Sequence, residues 1–91
     1  MPLRNPDQPA RDAAALALEA LAWVLADGPR AQRFLDLTGL TPEGLRAGLS
    51  QQATLVAVVD FLASHEPDLT AAADALQATP EDLVAARESL A

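Results

Sequence analysis

The chain has 91 residues, 51% of them hydrophobic, with 13 acidic side chains against 6 basic ones, for a formal charge of −7. That length holds one domain with one core, and that hydrophobicity is too high for a disordered chain. The charge repels phosphate backbones and anionic lipid, so neither nucleic acid nor a membrane surface is expected as a partner. The absence of Cys excludes disulfides, thiol catalysis and thiolate metal sites together, and it fits a reducing compartment, here expected to be the cytoplasm.

Residues 1–8 are polar and broken by Pro2 and Pro6; they read as a flexible tail, without the apolar core that a secretory signal needs. Residues 9–91 read as a single helical domain. A first helix is expected from about Pro9 to Ala26. Its apolar run, Ala13 to Ala26, carries Glu19 within it and Asp at both flanks, and a bilayer span needs about 20 apolar residues. On a helical wheel Ala14, Leu18, Leu21 and Leu25 share one face, read as the core face, while Leu16 and Trp23 point the other way. Two readings follow for that second side. Either the helix is central and buried all round, or Trp23, Leu16, Glu19 and Asp27 form an interface for self-association or for a basic partner, since Trp is enriched at binding hot spots.

Asp27-Gly28-Pro29 ends this helix and opens the next, with Gly28 as the break, Asp27 as cap and Pro29 expected at the N1 position. The second helix is expected to end at Gly39 in a Schellman cap, with Leu40 touching Leu35. Thr41-Pro42-Glu43 opens a short third helix. A fourth, about Gln52 to Ser64, is apolar nearly all round through Leu55, Val56, Val58, Val59, Phe61 and Leu62. Pro67 opens a fifth that runs to about Gln77, and Thr79-Pro80-Glu81 opens a sixth. With no β-type alternation, the fold class is all-α, a compact bundle of five or six short helices with the first and fourth at the centre. Leu21, Leu25, Phe34, Leu35, Leu55, Val59, Leu62 and Leu69 are the expected core.

Thr79-Pro80-Glu81 follows Thr41-Pro42-Glu43 by 38 positions, and at the same offset Pro29, Asp36, Leu45 and Ala47 fall on Pro67, Asp74, Leu83 and Ala85. The apolar stripe Ala31, Phe34, Leu35 and Thr38 falls on Leu69, Ala72, Ala73 and Leu76. This points to two three-helix units, residues 10–49 and 50–91, against the plainer reading that two helices share a common cap. Two such units stacked on each other make one globule.

Catalytic chemistry finds little footing. The one His, His65, adjoins Ser64, and neighbouring helical residues do not face each other as a nucleophile and base must. One His and scattered carboxylates supply no metal-ligand spacing, and the four Gly residues fit helix ends rather than a phosphate loop. No catalytic, cofactor-binding or metal residue is therefore assigned. The stretch from Phe34 to Ser50 has a helix-turn-helix outline, but its second helix offers only Glu43 and Arg46 to a duplex, which makes DNA reading the least favoured function. A non-catalytic protein-interaction or adaptor module is the preferred reading. The alternative, a small metabolite-binding protein or enzyme, calls for a polar pocket around Arg46, His65 or several carboxylates.

The runs ALALEALAWVLADGPRAQRFLDLTGLTPEGLR and LVAVVDFLASHEPDL resemble a family of short alphaproteobacterial proteins, domain of unknown function 3572, over about residues 12 to 90. The resemblance implies a small cytoplasmic helical protein and brings no activity, ligand or catalytic residue with it.

Overall fold

The computed structural model describes residues 12–91; the expected tail at 1–8 and the expected helix start at Pro9 lie outside the described residues. Six helices follow in order: α1 (Ala13–Leu25), α2 (Gly28–Thr38), α3 (Pro42–Ala47), α4 (Gln52–Ala63), α5 (Glu66–Ala75) and α6 (Pro80–Leu90). No strand occurs among the described residues.

Side-chain caps set most of the helix starts. Asp12 Oδ2 accepts from the Ala15 amide at 3.0 Å and Asp27 Oδ2 from the Arg30 amide at 2.9 Å. Thr41 Oγ1 accepts from the Gly44 amide at 2.9 Å. Thr79 goes further. Its hydroxyl accepts from the Asp82 amide while the Asp82 carboxylate accepts from the Thr79 amide, a capping box that satisfies two orphan donors at once.

The centre is formed by α1, α4 and α6, each packed on the other two, with α5 and α2 closing the sides. Placing α1 and α4 at the centre was therefore right but incomplete, because α6 shares it through Leu83, Ala86 and Leu90. Phe34 of α2 is fully buried and meets Phe61 of α4 edge to face, ring centroids 5.2 Å apart. Burying a large apolar side chain of this kind contributes about 1.5 to 3 kcal/mol. Leu21, Leu55, Val59 and Leu62 are buried as expected, while Leu35 and Leu69 pack half-buried against the core.

The wheel assignment of α1 needs correction. Its buried residues are Leu16, Ala17, Ala20, Leu21 and Val24, whereas Leu18 and Leu25 stand 40% and 42% exposed. The helix is rotated from the expected orientation, so Leu25 leaves the core and Leu16 enters it. The cause is that α1 is apolar on every side, and packing against α4 and α6 selects the face that carries Ala17 and Ala20, where two small side chains let the helix axes approach.

The offset of 38 persists in the folded chain. The five buried residues of α1 fall on Thr54, Leu55, Val58, Val59 and Leu62, all buried in α4. Buried Phe34, Leu45 and Gly48 fall on buried Ala72, Leu83 and Ala86. The positive backbone φ angles among the described residues belong to Gly39, at 74°, and Gln77, at 56°, which are also 38 apart. Their caps differ. At Gln77 the Ala78 amide reaches back to the Ala73 carbonyl at 2.9 Å, as in a Schellman motif. At Gly39 the expected Schellman bond is replaced: the Gly39 amide donates to the Leu35 carbonyl at 2.9 Å, and the Leu40 amide donates to Thr38 Oγ1 at 3.3 Å.

Candidate functional site

The four residues expected to form an interface are not brought together. Leu16 is only 4% exposed and belongs to the core, so it cannot meet a partner. Trp23 is half-buried, with the Arg30 guanidinium 3.5 Å from its ring centroid. Arg30 Nη2 also donates to the Trp23 carbonyl, so a cation closes the C-terminal turn of α1 where the helix dipole favours positive charge. Glu19 and Asp27 are exposed. Asp27 serves as the cap of α2.

What α1 does expose is another apolar stripe. Leu18, Ala22 and Leu25 are spaced i, i+4, i+7 and all face outward, with exposed Ala26 beyond them and half-buried Ala15 beside them. Glu19 flanks the stripe, and Asp12 and Asp27 stand exposed at the two ends of the helix. At 1.5 Å per residue the stripe from Ala15 to Ala26 is about 17 Å long. Of the four residues named from the sequence, Glu19 and Asp27 are exposed, Trp23 is half-buried and Leu16 is buried, and the large apolar side chains that α1 exposes are Leu18 and Leu25 instead. The echo could not have corrected this, because the apolar positions of α4 carried back by 38 include Leu18 and Trp23 as well as Ala17, Ala20, Leu21 and Val24.

The remaining charged groups form two cross-links between helices. The Asp68 carboxylate of α5 accepts from Arg33 Nη2 of α2 and lies 3.1 Å from His65 Nδ1. Arg33 also covers the Phe61 ring, 5.5 Å from its centroid. Ser64 is turned away from His65, since its Oγ donates to the Phe61 carbonyl at 2.7 Å. On the other side Arg87 Nε donates to Asp60 Oδ1 at 2.7 Å, which joins α6 to α4. The Asp60 hydrogen bond, then its charge, raises the Arg87 guanidinium above its ordinary value. Arg46 stands exposed in the last turn of α3. Among the described residues no three His, Asp or Glu side chains gather as metal ligands, and no helix is long and apolar enough to cross a membrane.

Neither the curated proteins nor the solved structures gave a match to this chain. A family does match. Its description is "Protein of unknown function (DUF3572)", its match runs over residues 10–91, and the chain therefore belongs to this family.

Proposed function

We propose that this protein is a non-catalytic protein-interaction module that docks a partner on the outward face of α1. The observation that carries the reading is the stripe of Leu18, Ala22 and Leu25 on a helix whose opposite side is the centre of the core. A helix apolar all round is normally buried all round, and single exposed leucines need no explanation, but a spaced set on one helix face does. The cytoplasm of an alphaproteobacterial cell is the expected setting, supported by the Cys-free sequence and the resemblance in the two apolar runs. The net charge of −7 supports a protein rather than a nucleic acid as the ligand.

The reading is tested by placing a photo-activatable side chain at Ala22 and, separately, at exposed Ala71 of α5, then irradiating intact cells. A discrete adduct formed from position 22 and lost when Leu18→Asp is added supports docking on α1. Equal labelling from both positions would sink it.

A further inference from the structure

We infer that α3 is a lid: residues 40–48 lift off the body of the protein and settle back while the other five helices stay folded. The opening uncovers Leu45 and the first turn of α4. It goes beyond docking on α1 and rests on different residues.

Local stability is the first reason. α3 runs over 6 residues, Pro42–Ala47, and includes Gly44. A helix this short does not persist in water by itself, and a Gly within it weakens it further. It therefore depends on anchors, and these are few. Leu45 is the buried residue of α3, half-buried Leu40 packs just ahead of it, and no other helix packs extensively on α3. Among the described residues, no ion pair or side-chain hydrogen bond ties α3 to another helix. The counterpart α6 is the internal control: it buries Leu83, Ala86 and Leu90 and is held to α4 by Arg87 and Asp60. Two helices with the same Thr-Pro-Glu start thus differ in what holds them down.

The two ends of α3 supply the second reason. Gly39 turns the chain into the lid at φ 74°, and a Cβ there would meet nothing within 4 Å, so the turn borders open space. At the other end Gly48 lies against Thr54 of α4. A Cβ at Gly48 would stand 2.6 Å from Thr54 Oγ1, and Thr54 is the buried polar side chain among the described residues. When the seam between Gly48 and Thr54 opens, that hydroxyl returns to water, and a seam that releases a polar group opens more readily than an apolar one. Segments with few buried apolar contacts open locally, at a lower cost than the whole fold.

The chain has no Cys and no Lys, which suits it to two probes. Leu45→Cys and Leu83→Cys, made separately, report when each buried position reaches a thiol reagent. In low urea the thiol at position 45 should react about a hundredfold or more faster than the one at position 83. Its rate should barely change with urea, while the rate at position 83 should climb steeply toward the unfolding transition. Trypsin tests the same opening in the wild type, because it can cut the described residues only after Arg30, Arg33, Arg46 and Arg87. Cleavage after Arg46 should come before cleavage after Arg30 and Arg33 and should show the same weak urea dependence. A lock completes the test. A Cβ at Gly48 would lie 3.6 Å from Thr54 Cβ, inside the span of about 3.5 to 4.5 Å that a disulfide needs. The oxidised pair Gly48→Cys with Thr54→Cys should slow cleavage after Arg46 by about tenfold or more, and reduction should restore it.

Equal urea slopes at positions 45 and 83 would overturn the proposal, because α3 would then open only with the whole molecule. So would cleavage after Arg30, Arg33 and Arg46 in parallel, or an oxidised pair that leaves cleavage after Arg46 unchanged. The wild-type trypsin pattern needs no substitution and decides the matter if a Cys variant fails to fold.

Discussion

Residues 12–49 and 50–91 each hold three helices and share most buried positions at an offset of 38, but not all: Phe61 and Ala73 are buried where Trp23 and Leu35 are half-buried. In the second, α6 is 11 residues long, is started by a capping box, and packs on both α4 and α1. In the first, α3 has 6 residues and packs against no other helix to a comparable extent. Where the second set pins α6 to α4 with the Asp60–Arg87 ion pair, the equivalent positions hold Ala22 and Leu49, both exposed. The two halves therefore differ in how they are closed: α6 covers the core in the second, while in the first Leu18, Ala22 and Leu25 of α1 stay exposed.

The sharpest test of this asymmetry compares Leu83 with its counterpart Leu45. Leu83 is fully buried beneath α6 and Leu45 is 6% exposed under a helix with little support. Leu83→Ala should cost about 2 to 5 kcal/mol in urea unfolding, with Leu45→Ala at or below the bottom of that range. Equal costs would mean that α3 is as well anchored as α6.

A second comparison concerns Gly48, which stands where the other unit has Ala86. A Cβ at Gly48 would lie 2.6 Å from Thr54 Oγ1 and 3.2 Å from the Gly44 carbonyl oxygen. Gly48→Ala should therefore cost about 1 to 3 kcal/mol, and a double-mutant cycle with Thr54→Ala should recover part of it. Additive costs would show that Thr54 is not the obstacle.

Smaller effects come from the two left-handed residues. A Cβ at Gly39 meets nothing within 4 Å, so Gly39→Ala should lose about 1 to 2 kcal/mol through backbone strain alone. Gln77→Gly should gain up to about 1 kcal/mol by removing the same strain. If thermal melts show Gln77→Gly destabilising, then the Gln77 side chain contributes more than its backbone costs. The smallest expected effects come from the caps. Thr41→Ala and Thr79→Ala should each cost about 0.5 to 2 kcal/mol, since each removes one bond accepted by a hydroxyl, while Asp82→Ala should separately remove the bond that the Thr79 amide donates.

Caps and breaks were the most legible part of the sequence, because their chemistry is local. Asp27 with Pro29, Thr41 with Pro42, and Thr79 with Pro80 mark helix starts within the turn that each residue itself satisfies. The fourth helix was legible as a core helix, since it is apolar nearly all round. The orientation of α1 was not. With apolar side chains on all sides its amphipathic signal is flat, and the choice between the Leu16 face and the Leu18 face is made by contacts with helices far along the chain. The central role of α6 was hidden for a related reason. Leu83, Ala86 and Leu90 form a narrow stripe that looks minor until α1 and α4 supply the groove it fills. For the candidate site, the exposure of Glu19 and Asp27 was legible because both are charged, while the burial of Leu16 was not, because it follows from the rotation of α1.

The packing of α1 on α6 also sets the order in which the molecule is able to fold. The contact joins the earliest described helix to the latest, so it closes a loop of most of the chain and raises the contact order of an otherwise local helical topology. On the ribosome α1, α2 and α4 emerge before α6, and until it arrives the sides of α1 and α4 that pack on it lack their cover. The nascent chain therefore passes through a stage with exposed core residues, in which chaperone capture competes with the completion of its own last helix.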